Sequence, residues 1–337
     1  MGSCSSHEEI NIKSKKIIRA NYVCNSSKYA MGLLHLLDLE SLEQFNYNVK
    51  LFPFKNFETI SQISIDNHLY LIGEQEVQLN NGSTFIRIDL FSKSNMVNLL
   101  INSTYEHYKP SLTIFKKEFV IAVGGKLSTK CEIYHINSNK WRTLPDLPEE
   151  RYGCNLISDD KNDFLYCFGG YNSKTNEYHN NVLKINLKRS NSWDVFMTYD
   201  PKNNNNVKYN NDNSLICNDS NIRYNNYQTL ERAFFSIVRI SFDKILMLGG
   251  QTPSKECTDD VVEFSFTNKA FIYLNFKLSS PSKFDVYSFG ELNNFYYTID
   301  EDGLIHKISK KNKTTDIIQN NAINIKQQTD LKDISTC

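Results

Sequence analysis

The chain has 337 residues, 40% of them hydrophobic and 12% aromatic, with 38 Lys plus Arg balanced by 38 Asp plus Glu. A zero net charge gives no global electrostatic footprint for nucleic acid, and no run of eighteen apolar residues is present to cross a bilayer as a helix. There is no signal-peptide pattern, and the eight cysteines (4, 24, 131, 154, 167, 217, 257 and 337) form no CxxC pair, so reduced thiols in a cytoplasmic setting are expected.

The first sixteen residues read as a flexible segment that opens Met1-Gly2-Ser3-Cys4-Ser5-Ser6. This fits the M-G-x-x-x-[ST] pattern, in which Gly2 offers its amine for myristoylation once Met1 is removed, and Cys4 lies close enough to be palmitoylated. One myristate gives only marginal membrane binding, on the order of 10⁴ M⁻¹, so a second acyl chain makes a lipid anchor physically coherent. The expectation is a peripheral protein on the cytoplasmic face of a membrane, with Lys13, Lys15, Lys16 and Arg19 adding little because Glu8 and Glu9 offset them.

From residue 17 onward an apolar run ending in a small or turn-forming residue recurs. The runs are Tyr22-Val-Cys-Asn25, Leu69-Tyr-Leu-Ile-Gly73, Phe119-Val-Ile-Ala-Val-Gly124-Gly125, Phe164-Leu-Tyr-Cys-Phe-Gly169-Gly170, Ile245-Leu-Met-Leu-Gly249-Gly250 and Phe295-Tyr-Tyr-Thr-Ile299. Positions 25, 73, 124, 169, 249 and 299 lie 48, 51, 45, 80 and 50 residues apart, and four of these five steps match a four-stranded propeller blade. The 80-residue step holds a polar, Asn-rich stretch at about 199–228, including Asn203-Asn-Asn-Asn206, which reads as a loop insertion. After each glycine position comes an apolar alternation of period two, as in Glu132-Ile-Tyr134-His-Ile136 before Trp141 and Asn181-Val-Leu183-Lys-Ile185 before Trp193, the pattern of strands with one face buried.

Gly124-Gly125, Tyr134, Trp141 and Leu144-Pro-Asp-Leu-Pro148, with the same order in the next unit, resemble the kelch repeat. The resemblance covers about residues 17 to 325 and implies an all-β, kelch-type β-propeller. Six units predict six four-stranded blades, and the weak outer repeats leave five or seven open. The propeller is placed at 17–327, followed by a tail at 328–337, and Ala322-Ile-Asn-Ile-Lys326 is expected to supply the strand that closes the ring against the first blade.

A cationic or ionisable residue stands seventeen or eighteen positions before the glycine: Lys55, His107, Arg151 and Arg232. In kelch proteins such an Arg lies at the mouth where partner peptides dock. By that resemblance Arg151, Arg232 and His107, with Tyr171, Asn172 and Gln251 just after the glycine pairs, are the expected partner-binding residues. Guanidinium forks suit carboxylate or phosphate, so an acidic or phosphorylated protein segment is the implied ligand. The alternative, that these arginines pair with a neighbouring Glu or pack between blades, stays open. Gly124, Gly125, Gly169, Gly170, Gly249 and Gly250 are expected to be structural.

No catalytic elbow, P-loop or zinc-helix motif occurs, and the seven His fall at unlike positions within their units. No catalytic residue, metal or cofactor is therefore expected. The reading is a monomeric, noncatalytic scaffold or adaptor that binds a protein partner. A propeller enzyme of oxidase or sugar-epimerase type, acting on a small molecule at the channel mouth, is the alternative.

Overall fold

A computed structural model describes residues 31–37, 44–50, 54–55, 57–75, 82–89, 97–198, 231–284, 289–301, 304–311 and 314–318. Apart from a single 3₁₀ turn at Phe57–Thr59, its regular structure is antiparallel sheet, opening with a two-stranded hairpin, β1 (Met31–Leu37) and β2 (Gln44–Lys50).

Five four-stranded sheets follow. Blade A comprises β3 (Ser61–Ile65), β4 (His68–Gly73), β5 (Thr84–Asp89) and β6 (Val97–Leu99). Blade B holds β7 (Ser111–Phe115), β8 (Phe119–Val123), β9 (Cys131–His135) and β10 (Lys140–Leu144). In blade C, β11 (Asn155–Asp159) and β12 (Phe164–Phe168) are followed by a small hairpin, β13 (Tyr171–Asn172) and β14 (Glu177–Tyr178), and then by β15 (Asn181–Asn186) and β16 (Asp194–Thr198). Blade D is built from β17 (Ser236–Arg239), β18 (Lys244–Leu248), β19 (Asp260–Ser265) and β20 (Ala270–Lys277). Blade E consists of β21 (Phe289–Leu292), β22 (Phe295–Ile299), β23 (Ile305–Ser309) and β24 (Thr315–Ile318).

The chain is thus a β-propeller in which the first strand of each sheet is innermost, with β3 lying against β7, β7 against β11, β11 against β17 and β17 against β21. The last five repeat units become blades A to E, each with its marker residue at the end of the second strand. The count of six is corrected to five four-stranded blades among the described residues. The segment assigned to a first blade contributes only the β1–β2 hairpin there, while Tyr22–Asn25 and the closing strand at 322–326 lie outside the described residues. That first unit was counted on spacing without a glycine pair, and spacing alone does not supply the strands a blade needs.

The second strands are mainly apolar because both of their faces are buried between blades. Val120 and Ala122 join Ile63, Tyr70, Ile72 and Phe85 of blade A, whereas Ile121 and Val123 join Leu156, Leu165 and Cys167 of blade C. Further round, Phe168, Met247 and Phe264 fill the C–D interface, and Val238, Leu248 and Tyr296 fill D–E. Two tryptophans tie fourth strands to the preceding blade: Trp141 Nε1 donates to Ile101 O at 3.0 Å and Trp193 Nε1 to Pro145 O at 2.9 Å. The first residue of the inner strand in blades A to D bonds across to the next blade, as Ser61 Oγ does to Pro110 O and Ser111 Oγ to Cys154 O, both at 2.6 Å.

Candidate partner-binding mouth

The glycine pairs close the second strands at one face of the ring. Gly124, Gly169 and Gly249 have φ of 63°, 55° and 59°, and the glycines that follow them have φ of 109°, 101° and 100°. A Cβ on Gly169 would stand 2.4 Å from Arg232 O and one on Gly125 2.5 Å from Tyr108 O, so neither backbone conformation nor space admits a side chain.

The cationic series sits beneath this face rather than on it. Arg151 and Arg232 are 0% and 1% exposed, and His107 is 2% exposed. Each caps the first glycine carbonyl of its own blade: Arg151 Nη1 donates to Gly169 O at 2.9 Å, Arg232 Nη1 to Gly249 O at 3.1 Å, and His107 Nδ1 lies 3.2 Å from Gly124 O. Each also reaches the first or second residue of the third strand: Arg151 Nη2 meets Asn181 Oδ1, Arg232 Nη2 lies 3.5 Å from Asp260 Oδ2, and His107 Nε2 lies 3.0 Å from Glu132 Oε2. Burial would raise the Glu132 carboxyl, but hydrogen bonds from the His107 ring and from the amides of Thr104 and Tyr105 outweigh it and hold the group below its ordinary range.

The main chain of the same residue serves the preceding blade. Gly170 N donates to Arg232 O at 2.7 Å, Gly250 N to Ser282 O at 2.8 Å, and Gly125 N to Arg151 O at 3.4 Å. In blade E, Ser282 holds the equivalent position and bonds Asp300 Oδ2 at 3.1 Å, which also receives His306 Nε2 at 2.8 Å. Ser282 Oγ lies 3.3 Å from that same Nε2. The nitrogen that would take a serine proton is already bound to the carboxylate, so this buried trio is a structural node and not a catalytic relay.

The expected placing of Arg151, Arg232 and His107 as partner-binding residues at the mouth is therefore corrected. Arg151 is buried against carbonyl oxygens and the Asn181 amide, Arg232 and His107 each against a carbonyl and a carboxylate, and Lys55, which stays exposed, pairs with Glu74 at 2.8 Å. Asn172 is 7% exposed and uses Oδ1 to receive the amides of Lys174 at 3.0 Å and Thr175 at 3.3 Å, which makes it a turn former. Tyr171 and Gln251 do belong to the surface of this face. Tyr171 bridges to Tyr152 and lies against Tyr178 with 5.0 Å between ring centres, and Gln251 accepts from Tyr178 OH at 3.0 Å. Gly2 and Cys4 lie outside the described residues.

Between blades A and B the same face opens into a cleft of about 270 Å³ lined by Glu74, Gln75, Ser83, Glu106, Lys126 and Leu127, with the buried His107 behind it. Leu127 is the residue that sequence reasoning passed over. It is 60% exposed and has a φ of 61°, a left-handed conformation that costs a non-glycine residue about 1–3 kcal/mol and persists only where its surroundings enforce it. The enforcing group is Glu150, buried at 3% exposure, whose Oε1 receives the Leu127 amide at 2.7 Å and the Ser173 hydroxyl at 2.5 Å. Beside it the ammonium of Lys126 lies 5.5 Å from the centre of the Tyr108 ring. The available signal was position, since Lys126-Leu127 follow their glycine pair as Tyr171-Asn172 and Gln251-Thr252 follow theirs.

The central channel is much tighter, a space of about 40 Å³ bordered by Ser61, Ser111, Tyr152, Cys154, Asn155 and Phe234. Tyr152 and Phe234 meet edge to face at 4.8 Å on the glycine side. Among the described residues no three His, Cys, Asp or Glu side chains converge as a metal-ligand set.

No family model matches the chain. It is similar to a kelch repeat-containing protein of Dictyostelium discoideum, with 38% identity over 64 residues, a stretch that takes in 19% of this chain and 9% of that protein. The match thus reaches well under two thirds of the relative's length, and the five four-stranded blades with their glycine pairs are consistent with a propeller of kelch type.

Proposed function

We propose, for a chain that is a kelch-type β-propeller, that it is a noncatalytic interaction module binding a protein partner at the A–B cleft of its glycine-side mouth. The observation that carries this reading is Leu127, an apolar side chain held out into solvent in a strained backbone conformation at the lip of a cleft. Strain maintained by a buried carboxylate on an exposed apolar residue has no packing benefit to offset it, and a partner surface supplies one. Lys126, Glu106 and the Lys55–Glu74 pair give the cleft mixed charge, which suits a polar segment with one apolar anchor. An acidic or phosphorylated group on that segment would meet Lys126 rather than the arginines.

A channel of about 40 Å³ is far below the roughly 300–1,000 Å³ of small-molecule sites, which disfavours an enzyme working in the channel mouth. We further propose that Gly2 and Cys4 carry acyl chains that hold the propeller at the cytoplasmic face of a membrane, since a myristoylation pattern with a nearby cysteine supplies the two chains stable anchoring requires.

The test is quantitative affinity capture from native cells with equal amounts of folded, membrane-bound bait, comparing the wild type with Leu127→Asp plus Lys126→Glu. Specific partners that vanish with the double variant support the cleft. An unchanged partner set overturns it.

A further inference from the structure

Three buried thiols gather where blades B and C meet: Cys131 at the start of β9, Cys154 just before β11 and Cys167 in β12. They are 0%, 4% and 0% exposed. Only Cys154 borders the central channel, whose narrow space admits a water-sized molecule.

The strand register brings two of the three together. Leu156 pairs with Cys167 and Asn155 with Phe168, so the register continued one step sets Gly169 opposite Cys154. Cys154 and Cys167 then project from the same face as diagonal neighbours, with a glycine in place of an intervening side chain. Both also belong to one buried cluster. The neighbouring Cys167 thiol is the main influence lowering the Cys154 thiol, and it prevails over burial with help from the Ser111 hydroxyl and the nearby Arg151. Ser111 Oγ lies 3.1 Å from Cys154 Sγ. Burial and the neighbouring Cys154 push Cys167 well up, and burial pushes Cys131 up to about 12.

We propose that Cys154 and Cys167 are a reversible dithiol modification site, oxidised to a disulfide by a peroxide reaching Cys154 through the channel. In the first step the Cys154 sulfur attacks one peroxide oxygen as the O–O bond breaks. The thiol becomes a sulfenic acid, and the departing oxygen leaves as water with the thiol proton. In the second, the Cys167 sulfur displaces that hydroxyl, forming the S–S bond and releasing its own proton in a second water. Two thiols lose two electrons and one peroxide becomes two waters. A diagonal pair must be drawn closer than its register spacing to reach disulfide geometry, so the bond is strained and easily reduced, as a switch rather than a staple requires. Cys131, buried in the same cluster away from the channel, is the spectator. The bond would pin the segment that carries Arg151 and Tyr152, and so stiffen the C side of the mouth.

The test treats the native full-length protein with hydrogen peroxide, alkylates remaining thiols on unfolding, and maps the digest by mass spectrometry. The expected result is a peptide cross-linked between Cys154 and Cys167 that disappears on dithiothreitol treatment, with Cys131 still alkylated. In Cys167→Ser a sulfenic-acid probe should label Cys154, and in Cys154→Ser Cys167 should stay reduced. The proposal is overturned if both thiols remain alkylatable after Cys257 has been fully oxidised, or if Cys154 bonds to another cysteine. The wild-type map decides even if a variant folds poorly.

Discussion

The carbonyl oxygen of Arg232 accepts a 2.7 Å hydrogen bond from the amide of Gly170, while the Arg232 guanidinium caps Gly249 O at 3.1 Å in its own blade. One residue thus serves two blades, its main chain the one before and its side chain the one to which it belongs. Arg151 does the same for blades B and C.

Replacing either arginine by Ala leaves a glycine carbonyl without its buried donor and, for Arg232, removes the more buried of the two cations beside Asp260, the other being Lys277 at 3.5 Å. Leaving a buried hydrogen-bonding group without its partner costs about 1–3 kcal/mol, and more where the partner was charged. Chemical denaturation of Arg151→Ala and Arg232→Ala should show midpoints lowered accordingly. A wild-type midpoint would return these side chains to the list of free binding groups.

Gly169→Ala should be equally damaging for a different reason. The added Cβ would stand 2.4 Å from Arg232 O at a φ of 55°, so backbone must move and the C–D junction must open. A loss on the order of 2 kcal/mol or more is expected by thermal unfolding, and a melting temperature within error of the wild type would contradict it.

Leu127→Asn should separate stability from binding. Asn tolerates the left-handed conformation that Leu127 endures, so the variant should be as stable as the wild type, or more so by up to about 1 kcal/mol. Affinity for a captured partner should fall about tenfold or more, equivalent to about 1.4 kcal/mol. A variant clearly less stable than the wild type would mean that the side chain is packed and not displayed.

Acid should destabilise the ring through two carboxyls. Burial would raise Asp300, but His306, Ser282 and the Leu304 amide hold it below its ordinary range, as the His107 ring and two amides hold Glu132. A carboxyl depressed in the folded state contributes stability above its unfolded pKa. That contribution drains away as pH falls from the ordinary values of 4.5 for a glutamate and 3.8 for an aspartate towards the folded ones. Stability measured against pH should therefore decline below about pH 4.5, and Glu132→Gln should be less stable at neutral pH yet lose less on acidification. An identical acid slope in the two proteins would exclude Glu132 as one of its sources.

Gly2→Ala should shift the protein from membrane to soluble fractions on cell fractionation, because removal of the myristate leaves no stable two-chain anchor. Unchanged partitioning would sink the lipid-anchor proposal.

The repeat period was legible because a strand buried on both faces must be apolar and the turn that ends it needs glycine, two demands that leave a mark in one dimension. Blade A was recoverable from Leu69 to Gly73 even without a glycine pair. Depth was not legible. Arg151 and Arg232 recur in sequence as a mouth residue would, but their partners, Asn181 and Asp260, differ in type and lie beyond loops of unequal length, so no spacing announces the burial. Leu127 was hidden for the opposite reason. An exposed leucine is ordinary in sequence, and only its backbone conformation and the buried Glu150 beneath it set it apart.

The two-way role of Arg151, Arg232 and Ser282 bears on how the chain acquires its shape as it leaves the ribosome. A blade can form its four strands as soon as they emerge, but the amide of its second glycine has no acceptor until the start of the next blade has appeared. Blades B, C and D are therefore finished one blade late, and blade C stands unlatched longest, because Gly170 waits for Arg232 until the whole stretch from 199 to 230 has followed it out.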